Sequence, residues 1–109
     1  MAKIEKQIDG DIFTIASKIT NAVLNGSVSA SLEDRSDFSD GPAKCCVRVF
    51  ERYSWFGGNR VSMSVTLFQN GSGPVYVSAC TSGGSQAMFF KINTVGEESF
   101  LDTIRKALN

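Results

Sequence analysis

Apolar residues recur along this chain with two different periods, and the places where one period gives way to the other mark out its elements. Residues 2–8 alternate, with Ala2, Ile4 and Ile8 on one side and Lys3, Glu5 and Gln7 on the other, as a half-buried edge strand does. After Asp9-Gly10-Asp11, the residues Ile12, Ile15, Ala16, Ile19 and Val23 keep the spacing of a single helical stripe. Asp11 stands where an N-cap belongs, and Leu24-Asn25-Gly26 predicts closure through a left-handed glycine. From Ser27 the period returns to two, Val28, Ala30 and Leu32 alternating with serines, so a strand is predicted to about Glu33. The following stretch, Asp34 to Pro42, shows no period, is rich in turn formers and reads as the longest loop.

Three strand-like runs come next, about 43–54, 60–69 and 75–82, parted by Trp55-Phe56-Gly57-Gly58-Asn59 and Asn70-Gly71-Ser72-Gly73. Both separators supply glycines for hairpins, so the runs predict a meander. Centring each hairpin on its glycine-rich turn puts Val47, Val49 and Tyr53 on one face with Val61, Met63, Val65, Leu67, Val75, Val77 and Ala79. The same register sends Cys46, Arg48, Phe50 and Arg52 to the other face, beside Ser62, Ser64, Thr66, Phe68, Tyr76, Ser78 and Cys80. Residues 83–93 fit a short strand or a loop equally well. Thr94-Val95-Gly96-Glu97 has the form of a capping box, and Phe100, Leu101, Ile104 and Leu108 supply the stripe of a helix after it. The predicted fold class is therefore α+β: strand, helix, four strands, helix, an antiparallel sheet with two helices packed on one face.

Length and composition narrow this picture without changing it. The 109 residues suit one domain, 1–109, and 42% hydrophobic content with eight Phe is enough for a packed core. Eleven basic residues balance eleven acidic ones, so no global field favours nucleic acid or an anionic membrane. The N-terminal residues carry alternating charge and lack the apolar run of a signal peptide, which points to a cytoplasmic protein. Three cysteines, Cys45, Cys46 and Cys80, without histidine or a C-x-x-C pair, argue against a disulfide framework and a zinc site.

Candidate chemistry is sparse. With no histidine, acid–base work would fall to a carboxylate, and Glu51 is the acid that the register places among apolar inner-face residues, where burial raises a pKa. Asp34, Asp37 and Asp40 sit at intervals of three but lack the ligand spacing and closing Glu of a calcium loop, so no metal or cofactor is expected. Ser82, Gly83, Gly84, Ser85 and Gln86, with Lys91 nearby, form a glycine-rich bend whose N–H groups suit a small anion or polar ligand. Trp55 and Phe56 sit in a hairpin loop, where large aromatics either fold back on the core or meet a partner.

Three segments carry a resemblance: Ser31-Leu32-Glu33-Asp34; Arg48-Val49-Phe50-Glu51-Arg52-Tyr53-Ser54 followed by Gly57-Gly58-Asn59-Arg60-Val61-Ser62; and Ser82-Gly83-Gly84-Ser85-Gln86-Ala87-Met88-Phe89-Phe90-Lys91. Together they resemble a family of short bacterial proteins known only as a domain of unknown function. The order of elements is similar to the TATA-binding-protein half-repeat and to a reduced helix-grip fold, whose members bind apolar ligands; order alone transfers no function. The expectation is a non-enzymatic interaction or self-association module using Arg48, Phe50, Arg52, Tyr76 and the two glycine-rich bends. A carrier of a small apolar or amphipathic ligand between sheet and helices is the alternative, and an enzyme built on Glu51 the third.

Overall fold

In the computed structural model, which describes residues 2–53, 60–83, 101, 104, 105 and 108, the two periods become five strands and a long helix. β1 is Ala2–Ile8, α1 Ile12–Gly26, β2 Ser31–Asp40, β3 Ala43–Tyr53, β4 Arg60–Asn70 and β5 Val75–Gly83. The sheet is antiparallel throughout, in the order β1-β5-β4-β3-β2. Since β1 and β2 are its two edges, α1 must cross from one edge to the other, and in doing so it covers one face.

The helix forms as its pattern dictates. Asp11 caps it, its Oδ2 accepting the Thr14 N–H at 3.0 Å, and that bond chiefly holds the Asp11 carboxyl below its usual pKa. Ile12, Ile15, Ala16, Ile19 and Val23 are buried against Val61, Met63, Val65, Leu67, Val75, Val77 and Ala79. Gln69, buried on β4, pins the helix start: its Oε1 accepts Ile12 N–H at 3.1 Å, and its Nε2 donates to Gly10 O at 2.7 Å and Gly73 O at 2.9 Å. These bonds satisfy backbone groups that burial would otherwise leave unpaired. Gly26 is the last helical residue, but Ser27 follows in an extended conformation, so the helix ends without the predicted left-handed cap. Among the described residues, positive φ falls at Gly10, Gly41 and Gly71.

Leu101, Ile104, Arg105 and Leu108 are helical, and Leu101 and Ile104 are fully buried in the same core. Their spacing is the expected stripe; Thr94, Glu97 and Phe100 lie outside the described residues.

Two expectations are overturned. The stretch read as the longest loop is β2, which begins at Ser31 instead of Ser27 and pairs with β3 down to Asp40 opposite Ala43. A bulge between Leu32 and Asp34 breaks its alternation, and the polar residues of an exposed edge strand hide its period. Only Gly41-Pro42 separates the two strands, with φ of +59° at Gly41, as a two-residue hairpin requires.

The second correction is the register of β3. Tyr53 pairs with Arg60, and the ladder runs Arg52 to Val61, Phe50 to Met63, Arg48 to Val65 and Cys46 to Leu67. A turn centred on Gly57, the middle of 55–59, would instead pair Tyr53 with Val61, one residue away, and a one-residue slip inverts every side chain. Cys46, Arg48, Phe50 and Arg52 therefore face inward, while Val47, Val49, Glu51 and Tyr53 face out. The hairpin pairing of Tyr53 with Arg60 sets this orientation, and the inward face then gains the Phe50 ring together with the Arg48–Asp37 ion pair, which lets a charged residue sit inside. The accompanying arginines are accommodated, Arg48 by an ion pair and Arg52 by remaining half-buried, its pKa lowered by desolvation.

Gly71, at φ +62°, has open space around the position of a Cβ, so backbone conformation alone decides the cost of a side chain there. Gly71→Ala is expected to cost about 1 kcal/mol, the penalty of a left-handed L-residue, and Gly71→Asn less. Urea unfolding of the two variants checks this, equal stability of Ala and wild type being the contrary result.

Candidate functional site

The face of the sheet turned away from α1 carries cross-strand rows that strand pairing sets in register. One row runs Gln7, Tyr76, Phe68, Cys45, Phe38 from edge to edge. Its rings stand out from the sheet, Phe38 63%, Tyr76 48% and Phe68 42% exposed, with Phe68 and Tyr76 6.5 Å apart between centroids. Grooves of about 490 and 290 Å³ flank Phe68, the first bounded by Glu5, Gln7, Thr66, Tyr76 and Ser78, the second by Phe38, Asp40 and Cys45. The rows beside it are Glu5, Ser78, Thr66, Val47, Ser36 and then Lys3, Cys80, Ser64, Val49, Asp34. Ordinary wet sheet faces are polar; three exposed rings in one line depart from that.

Inside the sheet, Arg48 is 5% exposed. Its Nη1 donates to Asp37 Oδ1 at 2.8 Å, to Val47 O at 2.9 Å and to Ser36 O at 3.4 Å. Asp37 also accepts Arg35 Nη2 at 3.0 Å through Oδ2. Arg48 first and Arg35 second hold the Asp37 carboxyl down at about 2. Cys46 lies beside this pair, and its thiol is pushed up to about 11 by burial and then by its hydrogen bond to Asp37. A thiol so protonated is a poor nucleophile. All three cysteines are free.

A cavity of about 170 Å³ opens next to Arg48, lined by Ser17, Thr20 and Asn21 of α1 and Leu32 and Arg35 of β2. Helical spacing aligns those three polar residues beside the apolar stripe, which is the signal by which sequence would have found them.

The predicted site residues thus divide. Tyr76 and exposed Ser82 lie on the outer face, Gly83 ends β5, and Arg48, Phe50 and Arg52 lie on the inner one. Trp55, Phe56, Gly84, Ser85, Gln86 and Lys91 lie outside the described residues. Glu51 is on the outer face, where it accepts Arg60 Nε at 2.9 Å, so the inward carboxylate expected there is not formed. Asp34 and Asp40 point outward and Asp37 inward, which separates the three acids that resembled a calcium loop. Phe38 was hidden by its polar neighbours, and only a strand assignment for 31–40 would have placed it in the aromatic row.

A family model described as a family of unknown function (DUF6054) matches residues 1–109. Neither a curated protein nor a solved structure matches the chain. Among the described residues, no helix is long and apolar enough to cross a membrane, and no three His, Cys, Asp or Glu side chains are grouped to hold a metal ion.

Proposed function

Belonging over its whole length to that family of unknown function, this chain is, we propose, a non-enzymatic self-association module whose outer sheet face meets a second copy of itself. The aromatic row Tyr76, Phe68, Phe38 carries the reading, because it lines up apolar surface across adjoining strands on the face that α1 leaves uncovered. Five strands at about 4.8 Å spacing and about nine residues long present roughly 700 Å². That approaches the ~800 Å² per partner of a standard stable interface.

Charge selects the arrangement. A two-fold axis parallel to the strands and over β4 lays β1 of one copy on β2 of the other and each row on itself. Lys3 then faces Asp34 at the two ends of a single row, and Phe68 meets its own counterpart at the axis. An axis across the strands would instead stack β2 on β2, bringing Asp34 and Asp40 towards like charges. A cytoplasmic setting and a TATA-binding-protein-like arrangement, with the Leu101–Leu108 stripe beside α1, belong to the same proposal.

Sedimentation equilibrium tests it. Phe68→Asp is expected to weaken the dimer at least tenfold, about 1.4 kcal/mol, since the ring acts twice at the axis. Lys3→Glu should weaken association, and adding Asp34→Lys should restore it. A monomeric wild type at ~100 μM, on the scale of weak specific complexes, would sink the reading.

A further inference from the structure

We propose that the cavity between α1 and the β2–β3 edge binds a phosphate group, free or as a monoester. It lies on the opposite side of the sheet from the aromatic row and does not depend on self-association.

Arg48 has an incomplete set of hydrogen bonds among the described residues. A guanidinium has five N–H donors, and removing it from water is favourable only when they are met. Arg48 is almost wholly buried, yet its hydrogen bonds among the described residues all leave from Nη1. Nε and Nη2 have no acceptor there, and Arg48 lines the 170 Å³ cavity. Arg35 lines the same cavity and also commits one nitrogen, Nη2, to Asp37. Two arginines sharing one carboxylate leave a net charge of +1 at a site that α1 partly shields from solvent.

The helix side supplies complementary donors. Ser17 and Asn21 contribute a hydroxyl and an amide one turn apart, while the Thr20 hydroxyl is spent on Ala16 O at 2.9 Å. Guanidinium groups on one wall with hydroxyl and amide on the other suit a tetrahedral, acceptor-rich anion better than a planar carboxylate. The volume admits one phosphate with ordered water and little more.

The test is a 1H–15N NMR titration of the full chain with inorganic phosphate, ionic strength being held constant with chloride. Saturable shifts are expected at Ser17, Asn21 and the Arg48 Nε–H, the last reporting directly on the unmatched donor. Arg35→Gln, at a side chain 61% exposed and so with little consequence for folding, should weaken binding at least tenfold. Glycerol 3-phosphate in a parallel titration distinguishes the sources: equal or tighter binding indicates a monoester site, much weaker binding a site for the free ion. Shifts that grow linearly without saturating, that chloride alone reproduces, or that persist unchanged in Arg35→Gln would overturn the proposal.

Discussion

Phe50→Ala is expected to destabilise the protein by about 3–5 kcal/mol, whereas Val49→Ala, one residue away, should cost less than about 1. The ring of Phe50 is fully buried, opposite Met63 on β4 and Leu32 on β2, so its removal loses transfer free energy and leaves a cavity that the close-packed core fills poorly. Val49 faces outward between Ser64 and Asp34 and loses only partial burial. Urea unfolding of both variants, read from the midpoint at an unchanged slope, measures the difference. The alternative register, with Val49 inside and Phe50 in solvent, predicts the opposite ranking. The pair of mutations therefore tests which face of β3 is the core, on which every statement about Arg48 depends.

That register shows where legibility ended. β1, α1, β4 and β5 could be read from periodicity because each has one apolar and one polar side, so that burial and sequence pattern agree. β3 offers apolar residues on both sides, Val47 and Val49 against Cys46 and Phe50, and its arginines pointed to the wrong one. A charged residue ordinarily marks the wet face; Arg48 does not, because its partner arrives from β2, a strand whose period was concealed by its exposed edge and its bulge. One missed element thus removed the information needed to orient the next. The same dependence governed the candidate sites. Phe38 joins the aromatic row only once 31–40 is a strand, and the cavity by Arg48 exists only where α1, β2 and β3 come together. Tyr76 and Phe68 needed only local alternation, and the sequence placed both on the outer face.

Asp37→Ala is expected to cost about 2–4 kcal/mol, because it strips the carboxylate from an arginine that is almost wholly buried. The figure is set below the ~5 kcal/mol upper end for a broken buried pair, since the Asp37 side chain is 33% exposed and water screens part of the attraction. Arg48→Met, which removes the charge and keeps the bulk, should fall within about 1–2 kcal/mol of wild type, and Asp37→Ala added to Arg48→Met should cost little more. The pH dependence carries the same signature. The folded Asp37 carboxyl titrates at about 2 against an ordinary 3.8, so its stabilisation is complete above the unfolded value and is lost as pH falls through about 2. Asp37→Asn should accordingly lie below wild type in stability near pH 7 and converge on it below pH 2, as urea titrations at stepped pH can follow. Parallel curves over that window would mean that Arg48 is held by its backbone acceptors, Val47 O and Ser36 O, and that the carboxylate contributes nothing beyond them.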